Sequence, residues 1–150
     1  VRIARQRRQL RHDIAVDASG NIYVTGTMRG SATFGLGEIN ETIVTSAGLD
    51  DFFVAKYNSA GALLWVKRAG SANFDNGYGI GVDASGNCYV TGRFTGSVTF
   101  GQGEDNETTP ISSGFIEIFV AKFNSSGALL WARQAGGVNL GTGFGPAVDA

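Results

Sequence analysis

The chain has 150 residues, 43% hydrophobic and 17% charged, enough to bury a sizeable core and too apolar to stay disordered as a whole. Its net charge is −1, but five arginines within the first eleven residues leave the remainder with 7 basic against 13 acidic groups, a body at −6. Such a body speaks against nucleic-acid binding, which needs clustered lysine and arginine on the folded surface, and no apolar run is long enough to span a bilayer.

Residues 1–12 form a basic head. "IARQ" at 3–6 echoes "WARQ" at 131–134, so the head reads as the end of a preceding unit rather than as an arm for nucleic acid or membrane. No apolar stretch follows the arginines, so it is not a secretory signal.

Beyond the head the chain repeats itself. "DASGNIYVTG" at 17–26 returns as "DASGNCYVTG" at 83–92, and "VDA" at 148–150 opens a third copy. Asp17, Asp83 and Asp149 lie 66 residues apart, as do Lys56 and Lys122, and Trp65 and Trp131. Residues 14–79 align on 80–145 without a gap. A period of this length marks a repeat architecture. We divide the chain into one repeat at 13–79, a second at 80–145, and the start of another at 146–150.

Each repeat reads as four strands. The first is short and rich in small residues, "DIAVD" (13–17) and "GIGVD" (79–83). The second, "NIYVTGT" (21–27) and "NCYVTGR" (87–93), is β-branched and aromatic, suiting a pleated surface. Between them Asp17 or Asp83 can bond nearby backbone, and Gly20 or Gly86 tolerates positive φ, which is hairpin chemistry. The third strand is "DFFVAKY" (51–57) or "EIFVAKF" (117–123), and the fourth lies in 62–68 or 128–134. "NSAG" and "NSSG" supply the turn between these two. "SATFG" and "TIVTS" can form a small extra hairpin in the long link at 30–48.

The strands have no clean polar face. Phe52, Val54 and Lys56 alternate with Phe53, Ala55 and Tyr57, and Leu63 and Trp65 alternate with Leu64 and Val66. A sheet apolar on both faces must be covered on both, and no segment has the helical period to supply the cover. The remaining cover is another copy of the same sheet. Four-stranded antiparallel sheets stacked face to face around an axis make an all-β fold, the β-propeller, with two complete blades of about 66 residues here and the start of a third. A β-sandwich would not need a constant four-strand unit. Two blades alone would leave two outer faces wet, so the expected partners are further blades of the same chain, and a two-blade piece is expected to aggregate or pair with itself.

Repetition also bears on chemistry, because a catalytic group is needed once. Asp17 and Asp83 read as turn residues rather than calcium ligands, since "DASGN" offers too few oxygens for that ion. Trp65 and Trp131 read as blade-to-blade packing rather than as a binding platform. Lys56 and Lys122 lay their stems along the sheet rather than act as nucleophiles. Cys88 is the lone cysteine and replaces Ile22 of the first copy, as a small buried filler. His12 stands alone outside the repeats, so no histidine-based relay or metal set can be assembled. "NET" at 40–42 and 106–108, with "NSS" at 124–126, matches the N-glycosylation pattern, and "NSS" is already explained as a turn. Binding function belongs where the copies differ, at 27–29, 36–51 and 71–76, with Asp50, Asp75 and Asn76 the candidate positions.

"VDASGNIYVTG" and "VDASGNCYVTG", followed by "FFVAKYNSAGALLW" and "IFVAKFNSSGALLW" and then an "AG" pair, resemble the bacterial SBBP β-propeller repeat family. The resemblance covers residue 13 to the end. It implies one blade per repeat, commonly seven blades, in secreted or surface-exposed bacterial proteins. The family's usual acid before the third strand is matched by Asp51, with Glu117 in its place in the second copy. The expected function is a non-catalytic module binding protein or glycan through its inter-strand loops, or serving as a spacer, without a cofactor. The rival is an enzyme propeller of quinoprotein-dehydrogenase type, which "NSSGALLW" also resembles.

Overall fold

The computed structural model describes residues 10–113 and 116–136. The basic head through residue 9 and the start of the third copy at 146–150 lie outside the described residues. Among the described residues there are ten strands and no helix: β1 (Leu10–Val16), β2 (Ile22–Met28), β3 (Ser31–Phe34), β4 (Thr42–Thr45), β5 (Asp51–Tyr57), β6 (Leu63–Ala69), β7 (Asn76–Val82), β8 (Cys88–Phe94), β9 (Glu117–Phe123) and β10 (Leu129–Ala135). They build two antiparallel four-stranded meanders, β1-β2-β5-β6 and β7-β8-β9-β10, and a two-stranded hairpin, β3-β4. This is the all-β architecture of a propeller fragment, with one sheet per repeat. In the second copy the segment matching β3-β4 keeps only isolated bridges, Ser97 to Ile111 and Phe100 to Thr108.

The first strand of each sheet starts earlier than its composition suggests. β7 begins at Asn76, so the link between sheets is confined to 70–75. A bulge makes this possible: the register passes from Gly77↔Gly92 to Gly79↔Thr91, with Tyr78 as the inserted residue. The matching shift in β1 falls between Arg11 and Asp13.

The two short turns are built alike in both copies. In the first, Asp17 Oδ1 accepts the Ser19 and Asn21 amides at 2.9 Å each, and Oδ2 accepts Asn21 Nδ2 at 2.8 Å. Asp83 repeats this with Ser85 and Asn87. The second turn rests on Asn58 Oδ1, which accepts the Ala60 and Ala62 amides, as Asn124 does for Ser126 and Ala128. These side chains occupy backbone donors that no ladder reaches.

The sheets meet face to face. Strand register puts Tyr23, Thr25, Phe52, Val54 and Trp65 on one face of the first sheet, its front. Cys88, Val90, Phe119, Ala121 and Phe123 lie on the opposite kind of face of the second sheet, its back. Together they make one continuous core. The Phe52 and Phe119 rings lie 4.7 Å apart, and Phe100 touches both. The sheets are closest at β7, which packs on β1 and β2. Farther out, the segment carrying Val98 and Phe100 fills the gap as a wedge, and its Glu104 meets Lys67 of β6 at 2.7 Å. The front of one repeat therefore sits on the back of the next.

The fourth strand corrects the alternation read from the sequence. Leu63 pairs with Tyr57 and Trp65 with Lys56, so Leu64 is bulged out. Leu63 and Trp65, two apart, therefore face opposite ways. Leu63 joins the back-face cluster with Met28, Phe53 and Ala55, while Trp65 joins the front. Leu130 is bulged in the same way in β10. A single extra residue inverts the parity of the strand, which is what a bulge does.

Candidate interaction surface at the connection end

Strand direction sorts the loops. The 17–21 and 58–62 turns lie at one end of the first sheet, and their counterparts 83–87 and 124–128 lie at the same end of the second. The ends of β2 and β6 and the starts of β5 and β7 lie at the other. The connections that differ between copies begin and close there.

Two buried acids anchor this connection end. Asp51 is fully buried, and its Oδ2 accepts the Ala47 amide at 2.8 Å and Arg68 Nη1 at 2.9 Å. A Cβ at Gly70 would run into the Asp51 carboxyl, and one at Gly136 would run into Glu117, so the glycine of each "AG" pair makes room for the acid of its own copy. Asp75 is also fully buried. It accepts the Ser71 amide at 2.5 Å, the Ser71 hydroxyl at 2.7 Å and the Thr95 amide at 3.1 Å. Burial holds both aspartates above the ordinary carboxylate range.

These positions revise the expectation for two of the three candidates. Asp75 closes the link that carries the chain from β6 to β7, and Asn76 bonds Thr27 through Nδ2 at 3.1 Å and accepts from Arg93 at 3.0 Å. Both are shielded inside the joint, because a sharp reversal between sheets needs side chains to satisfy its amides. Neither offers a surface to a ligand.

Asp50 does lie at the surface. Arg29 Nε donates to its Oδ1 at 2.6 Å, and the Arg29 guanidinium lies 5.6 Å above the Phe74 ring. Phe74 is 49% exposed and neighbouring Leu49 is 41% exposed. The segments are held side by side, with the Asp50 amide donating to the Asn73 carbonyl and the Asp75 amide to the Asp50 carbonyl. The result is a planar cation held at its edge by a carboxylate and lying over an aromatic ring, with apolar surface open beside it. In the second copy Thr95 stands at the Arg29 position and Ile116 at the Asp50 position, so the arrangement exists once. Arg29 and Phe74 both fall within the variable segments, but nothing in the sequence pairs them.

The remaining nominated residues take structural places. Asp17 and Asp83 are consumed as turn acceptors. Burial pushes the Asp17 carboxyl up, but donors from Asn21, Ser19 and Tyr23 outweigh it and leave it below the ordinary range; for Asp83 the Asn87 side chain leads the same downward shift. Gly20 and Gly86 take φ of 80° and 76° in those turns. Trp65 donates from Nε1 to the Ser125 carbonyl at 3.1 Å, and Lys56 Nζ donates to the same oxygen at 3.1 Å. Trp131 meets Tyr89 edge on at 6.3 Å. Cys88 is buried, which pushes its thiol up to about 12 and keeps it protonated at neutral pH. Among the described residues, no three His, Cys, Asp or Glu side chains stand together as metal ligands would. No helix there is long and apolar enough to cross a membrane.

Two stacked four-stranded meanders, one per repeat, have the architecture of a β-propeller fragment. The SBBP family, described as a beta-propeller repeat, matches residues 64–93, spanning β6 through most of β8. The chain is also similar to an uncharacterised WD repeat-containing protein of Acanthamoeba polyphaga mimivirus, 28% identical over 144 residues. That match covers 91% of this chain and 10% of the relative, so the chain spans about a tenth of the relative's length.

Proposed function

We propose that this repeat module is a non-catalytic scaffold that binds a protein partner through its connection end, with Arg29 and Phe74 as anchors. The observation that carries the reading is the exposed Arg29–Phe74 stack, pinned by Asp50 and present in one copy only. Arginine and large aromatics dominate the energetics of protein interfaces, and both are held here in fixed geometry, which lowers the entropy lost on binding. The likeness to a WD repeat-containing protein supports a role in interaction. Placement outside the cell or on its surface belongs to the same proposal, supported by the SBBP resemblance.

The test compares the wild type with an Arg29→Ala/Phe74→Ala variant on protein and glycan arrays, with thermal melting as the control. Protein spots bound by the wild type and lost by a variant that melts normally support the proposal. Binding that survives the substitutions, signals confined to glycans, or silence on both arrays would overturn it.

A further inference from the structure

The edge strands of both sheets are guarded against a further neighbour. β1 and β6 flank the first sheet, β7 and β10 the second, and all four carry a bulge, which twists an edge out of line for pairing. Lys67 and Arg68 on β6 and Arg133 on β10 add charge to two of them. The β3-β4 hairpin has none of these devices at its β4 edge. Its register runs from Ser31↔Thr45 to Phe34↔Thr42 without a shift, β4 is β-branched throughout, and residues 42–49 carry no charge. β3 is largely covered, whereas Thr42, Ile43 and Thr45 of β4 are exposed.

The second repeat shows that this exposure does not come from an absent neighbouring sheet. There the matching segment lies inside the joint, packed on the core between the sheets through Val98 and Phe100. Thr109 and Ile111, the counterparts of Ile43 and Thr45, nevertheless stay exposed, Ile111 at 65%. The edge therefore lies on the rim of the stacked sheets. The second repeat also breaks the hairpin ladder: Pro110 stands at the Val44 position, has no amide to give the Val98 carbonyl, and leaves isolated bridges in place of a strand pair.

Hydrogen-bond parity fixes what the β4 edge offers. The Ser46 amide donates to the Gly30 carbonyl at 2.9 Å, so the bonded positions inside the hairpin are 32 with 44 and 34 with 42. Ile43 and Thr45 therefore turn their amides and carbonyls outward, on either side of Val44. A second β4 presents the same groups at the same spacing. With Val44 on a two-fold axis, Ile43 of one copy pairs with Thr45 of the other and Thr45 with Ile43, for about four backbone hydrogen bonds. Neither strand brings a charge to the other, and a net charge of −1 sets up little repulsion between copies.

We propose that two copies of this chain pair through their β4 edges, joining two hairpins into one four-stranded antiparallel sheet about a two-fold axis at Val44. The contact is isologous and closes on itself, so it ends at a dimer. It uses neither Arg29 nor Phe74 and stands independently of the reading of that stack.

The test is disulfide trapping of the 150-residue chain under mild oxidation, read on non-reducing gels. Across the axis the two Val44 positions form a non-hydrogen-bonded pair with Cα atoms about 4.5 Å apart, within disulfide reach. The two Ile43 positions stand two residues out of line, about 8 Å apart and beyond it. Val44→Cys is expected to give a linked dimer about tenfold faster than Ile43→Cys. Random collision, or stacking through sheet faces, would favour position 43, the more exposed of the two. The wild type, whose Cys88 is buried, is expected to give no linked dimer. Thr45→Pro in the Val44→Cys background removes an outward amide from each copy while sparing the β3 ladder, and is expected to slow trapping about thirtyfold. Ile43→Lys, a charge on the same edge, carries that arm should the proline variant not melt cooperatively. An edge that serves another protein's strand would give no Val44→Cys dimer. That result, trapping of Ile43→Cys as fast as Val44→Cys, or a folded edge variant trapped as readily as its parent would overturn the proposal.

Discussion

Gly61 and Gly127 occupy the same turn in the two copies with the same φ of 85°, yet only Gly127 lies under an indole. Alanine at either position places an L side chain in the left-handed region, at a cost of about 1–2 kcal/mol common to both. At Gly127 the added methyl would also stand 2.8 Å from Trp65 Cδ2 and 3.1 Å from Cε2 and Cε3, inside van der Waals contact. The ring cannot swing away without losing its bond to the Ser125 carbonyl and its edge contact with Tyr23 at 6.2 Å. Overpacking of this kind costs a further ~1–3 kcal/mol. Gly127→Ala should therefore lower stability by about 2 kcal/mol more than Gly61→Ala, a gap of roughly 8 °C in melting temperature for a chain this size. Urea titration at a concentration too low for self-association reads the difference directly. In a Trp65→Ala background the gap should close, since the two residues then no longer touch. Equal losses at the two glycines, or a gap that persists without the indole, would refute the account of how the sheets are joined.

The bulge in β6 makes a second prediction: Leu63→Ala, at a site 1% exposed, should cost ~2–4 kcal/mol, whereas Leu64→Ala at 39% exposure should cost under about 1. Similar losses in denaturant melts would mean that the parity inversion is wrong. Acid response should show two opposing contributions. Asp51 and Asp75, held above the unfolded value of 3.8, bind a proton more readily when folded, so their contribution to stability falls as pH rises through the window above 3.8. Asp17 and Asp83, held below it, stabilise above 3.8 and lose that contribution as pH falls through their folded values. Melting temperatures should accordingly change slope above about pH 4 in Asp75→Asn and below about pH 4 in Asp17→Asn, and slopes identical to the wild type in both variants would refute the assignment.

The sheets were legible because they rest on local chemistry written twice. Alternating apolar residues in "FFVAKY" give two covered faces, and an Asp or Asn before a glycine gives each tight turn. What escaped was set by partners distant in the chain. Leu64 bulges because β5 and the 58–62 turn hold the two ends of β6 in a register that the intervening letters do not state. Asp75 varies between copies, which suggested a ligand site, but it varies in a buried link where one carboxylate takes three donors. The Arg29–Phe74 stack joins residues 45 positions apart that neither periodicity nor motif connects. The wedge role of the 98–110 segment was equally hidden, since it depends on the space left between two diverging sheets.

Because the joint sets the front of the first repeat on the back of the second, the repeats have a head and a tail, and the two copies align without a gap. Unequal recombination between two copies of the encoding DNA would therefore add or remove one whole blade in frame. The new seam would be chemically the same as the one described, and the arginine–phenylalanine stack would travel with the copy that bears it.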